Sequence, residues 1–198
     1  DDDGWLDFYL GTGFPSYAAL IPNVMYRNRE GRAFEDVSTA GGFAHLQKGH
    51  AVAFADIDDD GDVDVFEQMG GAYTGDSFVD ALYENPGHGR HGIRLELEGV
   101  TSNRSAIGVH VRADVTEGGA GRSIHRTVGP RGSFGSGPLA VHIGLGEATV
   151  VDRLEIRWPT SGIVQVFEDV AVDRVYAVRE DARKLVERSR RPFTLGGS

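Results

Sequence analysis

Residues 56 to 66 read DIDDDGDVDVF, which places Asp56, Asp58, Asp59, Asp60, Asp62 and Asp64 within nine positions. Two carboxylates about 5 Å apart repel by roughly 0.8 kcal/mol even in bulk water, and by more where water is excluded. The flanks AVAFA (51–55) and Val63, Val65 and Phe66 are apolar and seek burial, so the run is an ordered loop rather than a solvated tail. The chemistry that suits such a loop is the binding of a hard cation. Calcium takes six to eight oxygens, and a tight loop supplies them from alternate residues, with a glycine at the sharp turn.

Numbered from Asp56, the carboxylates at positions 1, 3 and 5 are Asp56, Asp58 and Asp60, and Gly61 is position 6. Asp62 at position 7 offers its backbone carbonyl, Asp64 at position 9 adds a carboxylate, and Asp59 is expected to point outward into solvent. No Cys occurs in the chain and no His in the loop, which disfavours softer metals. Glu67 at position 12 also completes the EF-hand expression, but that motif needs a helix on each side. Alternating HAVAFA precedes the loop and VFEQMGG follows it, ending in glycines too soon for a helix. Glu67 therefore reads as a strand residue, and the loop as a calcium loop between strands.

The same pattern occurs 57 residues earlier. DDDGWLDFYLG (1–11) aligns with DDDGDVDVFEQ (58–68), placing Asp1, Asp3 and Asp7 under Asp58, Asp60 and Asp64. These three form a second, truncated candidate loop whose first ligand position falls before Asp1, and we read the chain as part of something longer. Leu10 stands where the other copy has Glu67, so the repeat keeps the ninth-position Asp and drops the twelfth-position Glu.

Other constellations have plainer readings. His88 and His91 could share a metal, yet no acidic third ligand stands at a diagnostic spacing, and GHGRHG reads as a junction loop. His110, His125 and His142 sit in alternating strands. Gly135-x-Gly137-x-x-Ala140 is nominally a dinucleotide fingerprint, but that motif must open a helix, and here Pro138 and a strand follow. Ser133 and Ser136 lack the Gly-x-Ser-x-Gly elbow of a hydrolase. Trp158 before Pro159 reads as packing rather than a sugar platform, and Asn103 and Arg104 as turn formers.

The elements that must position the loops are strands. WLDFYL (5–10), VMYRN (24–28), AFEDV (33–37) and HAVAFADI (50–57) give about four short strands per repeat, the content of a propeller blade. After the Pro- and Gly-containing LYENPGHGRHG (82–92) come seven alternating segments, beginning at residues 93, 107, 122, 139, 151, 163 and 174, which predict a β-sandwich. DARKLVERSRR (181–191) reads as a short basic helix stopped by Pro192. The expected fold class is all-β, with partial propeller blades over 1–85, a sandwich-like domain over 86–181 and a tail over 182–198.

Charge narrows the function. The net charge is −10, and residues 1–70 account for all of it with fourteen acidic and four basic residues. Such a chain is a poor partner for nucleic-acid phosphates. The absence of cysteine excludes disulfides, zinc-thiolate sites and thiol chemistry, and no apolar run reaches the ~18 residues of a membrane span.

GRAFEDVSTAGG, GHAVAFADIDDDGDVDVF and LYENPG resemble the FG-GAP/VCBS-type repeat of integrin-like β-propellers. SNRSAIGVHVRA, VHIGLGEATVVDRLEIRWPTSG and YAVRE resemble the ASPIC/UnbV domain, which follows such repeats in cartilage acidic protein-like proteins and in bacterial proteins, some encoded with enediyne biosynthesis genes. WPTSG carries one residue more than the family's usual Trp-Pro-Ser-Gly turn. The resemblance implies an extracellular or cell-surface protein whose propeller loops bind Ca²⁺, and it transfers the metal positions Asp56, Asp58, Asp60, Asp62 and Asp64.

The function expected is a non-enzymatic calcium-binding module for adhesion or recognition of a protein or glycan. One alternative is a structural subunit that packs against copies of itself. The other is an accessory protein or enzyme of natural-product biosynthesis, which no nucleophile–base pair in the sequence supports.

Overall fold

The strand register of the first sheet recurs in the second, 57 residues on. In the computed structural model, which describes residues 1–12, 19, 21–71, 73–130, 132 and 134–196, strands β1 (Phe8–Leu10), β2 (Val24–Arg29) and β3 (Ala33–Asp36) form an antiparallel sheet in the order β1-β2-β3. Strands β4 (Gly49–Ala55), β5 (Asp64–Met69) and β6 (Ala81–Tyr83) form the next, in the order β4-β5-β6. Phe8 stands opposite Tyr26 in one, and Val65 opposite Tyr83 in the other. Ser133, weighed above as a nucleophile, lies outside the described residues.

The four strands of one repeat are thus shared between two sheets. The acidic loop joins β4 to β5 within one sheet, where Ala55 faces Asp64 and Phe54 faces Val65. Both flanks are strands, which excludes an EF-hand. The sheets have the character of propeller blades, and no closed sheet forms among the described residues. Between them Phe43 lies 5.8 Å from the Tyr9 ring and 4.9 Å from that of Tyr83. The opposite face of the first sheet carries Phe8 stacked on Tyr26 at 4.9 Å and edge-on to Phe34, exposed to solvent.

All seven alternating segments after residue 92 are strands, because their period-2 pattern matches two buried sheet faces. One sheet runs β10 (Val141–Gly146), β7 (His91–Glu98), β13 (Arg174–Arg179), β14 (Val186–Arg188). The other runs β12 (Val164–Ala171), β11 (Val150–Arg157), β8 (His110–Glu117), β9 (Ala120–Thr127). Strands β7 and β13 pair in parallel and the rest antiparallel. Ile93, Leu95, Val111, Ile143, Leu154, Ile156 and Trp158 are fully buried between the sheets. Each such side chain contributes about 1.5–3 kcal/mol relative to exposure. Trp158 donates its indole N–H to Gln165 Oε1 at 2.5 Å, so it is a core residue and no sugar platform. The longer WPTSG turn closes with Gly162 N–H donating to Trp158 O at 3.0 Å.

No helix forms over 181–191; turns lead into a three-residue strand, β14, instead. Val186, Glu187 and Arg188 pair with Ala177, Tyr176 and Val175. A helix there would leave the outer edge of β13 unpaired. A short charged strand closes it, with Arg174 and Glu187 in an ion pair at 3.2 Å. The sandwich also protects the blades. A Cβ on Gly135 would overlap the main chain of Val52, so the glycine-rich stretch before β10 lies against the free edge of β4. That stretch is a loop followed by a strand, not the start of a dinucleotide fold.

Candidate metal centre

The loop's geometry begins with two backbone features. Asp59 (φ 59°) and Gly61 (φ 111°) take left-handed conformations, as do Asp2 (φ 53°) and Gly4 (φ 89°) in the first copy. Gly61 is favoured by its left-handed backbone, and a side chain there would also displace the Arg190 guanidinium. Asp60 N–H donates to Asp58 Oδ1 at 3.3 Å and Asp62 N–H to Asp60 Oδ1 at 2.9 Å, curling the chain around its own carboxylates.

Among the described residues, Asp56, Asp58 and Asp60 are brought together, each offering an oxygen within 4.8 Å of the others. The Asp56 side chain is only 5% exposed, and its Oδ1 has no hydrogen-bond donor. Burial pushes the carboxyls of Asp56 and Asp58 up. Three convergent hard oxygens, one of them buried and unsatisfied, fit a calcium-type cation.

The other expected ligands stand differently. Both Asp64 oxygens accept backbone N–H groups, Oδ2 from Ile57 at 3.0 Å and Oδ1 from Asn85 at 2.8 Å. Asp62 faces Asp2 of the first copy; burial, then the neighbouring Asp2 and Asp60 carboxylates, push it up to about 6. In the first copy Asp1 is paired with Arg27 and Arg90, Asp3 Oδ1 accepts from Trp5 N–H at 2.8 Å, and Asp7 Oδ1 accepts from Asn28 N–H at 2.7 Å. Glu67 is a buried strand residue that accepts from the Tyr9 hydroxyl at 2.6 Å. His91 Nδ1 is 2.8 Å from Asp173, not joined with His88 in a metal group.

Asp59 does not point into solvent. Its Oδ1 is 3.2 Å from Arg94 Nη1, its Oδ2 accepts from Arg191 N–H at 2.5 Å, and Arg94 Nη1 also reaches Asp56 Oδ2 at 3.0 Å. The charge of the acidic run is thus offset in part by Arg94 of the sandwich. A sequence reading confined to the loop could not find these partners.

Asn28 and Asn85 were also missed. Each donates its side-chain amide to the carbonyl just before the ninth-position Asp: Asn28 to Leu6 at 3.2 Å, Asn85 to Val63 at 3.3 Å. The signal was present as Tyr26-x-Asn28 and Tyr83-x-Asn85, one period apart. A cleft of about 1300 Å³ opens between the blades and the sandwich, with Tyr9, Phe43, Phe54, Tyr83, Arg94 and His142 in its wall.

Two known families match the chain. The FG-GAP-like repeat family matches residues 1–67, and the ASPIC and UnbV family matches residues 99–185. No curated protein matches the chain. FG-GAP repeats are typical of extracellular proteins, and these two domains together suggest a recognition or adhesion type of module. Among the described residues no helix is long and apolar enough to cross a membrane. The chain carries an FG-GAP-like repeat followed by an ASPIC and UnbV domain.

Proposed function

We propose that this chain is a non-enzymatic, extracellular calcium-binding module for recognition of a protein or glycan, its blades and sandwich held together around the acidic loop. The observation that carries the reading is the convergence of Asp56, Asp58 and Asp60 with one buried oxygen lacking a donor. Loops of extracellular modules bind calcium with dissociation constants on the order of 10⁻⁴–10⁻³ M, which keeps them loaded where calcium is abundant. The aromatic-walled cleft beside the loop supports a recognition role. Calorimetric titration tests the proposal: wild type takes up about one calcium ion per chain, and Asp58→Ala or Asp60→Ala abolishes uptake. No uptake by the intact, folded chain would sink it.

A structural-subunit reading has its own support in the exposed Phe8–Tyr26–Phe34 face. Large exposed apolar patches mark interaction sites. Light scattering over a wide concentration range tests it. Self-association that Phe34→Asp removes favours it, and a strict monomer rejects it.

A further inference from the structure

The segment after β14 grips the acidic loop from outside. Phe193 N–H donates to Asp58 O at 2.9 Å, Arg191 N–H donates to Asp59 Oδ2 at 2.5 Å, and Arg190 Nη1 donates to Asp60 O at 2.9 Å. Three consecutive loop residues are held by three tail residues more than 120 positions away in sequence. These contacts use two backbone carbonyls and the Asp59 side chain. None of these hydrogen bonds is to a carboxylate of Asp56, Asp58 or Asp60, which converge on one point, although the Arg190 charge acts on Asp56. Clamp and cation therefore use different atoms of the same turn.

We infer that residues 190–193 are positioning residues for the calcium loop, and that calcium binding and tail docking favour each other. The inference rests on the calcium reading above. Calcium fixes the turn whose outer carbonyls the tail recognises, and the docked tail spares the ion the cost of ordering that turn. Coupling of this kind is reciprocal by linkage, so each partner must raise the other's affinity by the same factor.

The test uses the full 198-residue chain. Phe193→Pro removes the N–H that serves Asp58 O without changing charge, and Phe193→Ala keeps it. We expect Phe193→Pro to bind calcium about five- to tenfold more weakly by calorimetry, within the range of typical coupling, and Phe193→Ala to bind as wild type. Trypsin supplies the reciprocal readout, because Arg188 and Arg190 precede scissile bonds at the clamp. Calcium should slow cleavage there about tenfold or more in wild type and have little effect in Phe193→Pro. If wild type binds calcium but Phe193→Pro binds equally well, or calcium leaves cleavage unchanged, the clamp is overturned while the metal site stands. If wild type takes up no calcium, the functional reading itself falls and takes the clamp with it.

Discussion

His142 and Arg94 stand directly opposite each other on β10 and β7, and each holds the same position of one repeat. His142 Nε2 lies 2.6 Å from Asp2 Oδ1, and Arg94 Nη1 lies 3.2 Å from Asp59 Oδ1. Asp2 and Asp59 are 57 residues apart, and both are left-handed. Two adjacent strands of the sandwich therefore read two successive acidic loops, which fixes the blades on the second domain. Although burial opposes it, the hydrogen bond from His142 and its charge keep the Asp2 carboxyl below its usual range.

Arg94→Ala removes the charge beside Asp56, whose side chain is buried. Truncating one partner of a buried ion pair strands the other. For this partly exposed arginine, the loss expected in chelator is about 1–3 kcal/mol. Calcium should restore much of it, because the ion supplies the missing positive charge. Thermal denaturation with chelator and with calcium measures both. An equal loss in the two conditions would mean that Arg94 acts by packing alone.

Asp64 and Asp60 separate two roles within one loop. Asp64→Ala leaves the Ile57 and Asn85 N–H groups without their acceptor, at a cost of about 1–3 kcal/mol even in chelator. Asp60→Ala loses only the exposed bond from Asp62 N–H, which water can replace, and relieves like-charge repulsion, so the chelated form should change little while the calcium-dependent gain is abolished. Denaturant titrations of both variants, each with and without calcium, decide the assignment.

Without metal, the loop should lose stability as pH rises. Asp56 and Asp58 are raised, and Asp62 is pushed up to about 6, so the folded state holds their protons more tightly than the unfolded chain. That contribution is complete below the ordinary carboxylate range near 4 and is lost as pH climbs through about 6. In chelator the melting temperature should fall by roughly 2–4 °C between pH 5 and 7. With calcium the trend should reverse, because the ion needs deprotonated ligands.

Tyr9 and Glu67 tie the first blade to the second. Burial raises the Glu67 carboxyl, and its Oε1 has no hydrogen-bond partner. A Cβ on Gly49 would overlap this oxygen and lie 2.9 Å from Asn23 Oδ1, another buried acceptor without a donor. Glu67→Gln supplies an N–H in that region while keeping an oxygen for Tyr9. It should match or exceed wild type above pH 7 and flatten the part of the pH dependence that Glu67 causes. Tyr9→Phe should cost about 1–3 kcal/mol. A Gln variant less stable than wild type at pH 8 contradicts this account.

Glu180 is buried and accepts from Val100, Thr101 and Ser102 N–H and from Ser102 Oγ, at 2.5 to 3.2 Å. Burial opposes ionisation, but these donors hold the carboxyl down at about 2. Its stabilisation is present above the unfolded carboxylate range and vanishes as pH falls from about 4.5 to 2. Glu180→Gln should lower the melting temperature at pH 7 by several degrees, with the gap to wild type closing near pH 2.

How much of this was legible follows from the range of the interactions involved. The sandwich strands and the repeat could be read because alternation and period are local properties of the chain. The acidic loop could be placed between strands because its flanks alternate. The strand at Val186–Arg188 could not, since its sequence is basic and helix-compatible and only the open edge of β13 makes it extended. Asp59 was misjudged for the same reason: Arg94 and Arg191 lie 35 and 132 residues away. Glu180 looked like the end of a strand, and only the fold delivers four donors to it. Asn28 and Asn85 were legible in principle, because they recur at the period of the repeat.

The contact between Asp2 and His142 spans 140 residues and has a consequence for biosynthesis. At roughly 5–20 residues per second, a ribosome needs about 7–30 s to deliver His142 after Asp2 has been made. Throughout that interval the first acidic turn lacks the strand that will seat it. Seating of the first acidic turn on the sandwich is therefore a late event of synthesis, possible only once translation has passed β10.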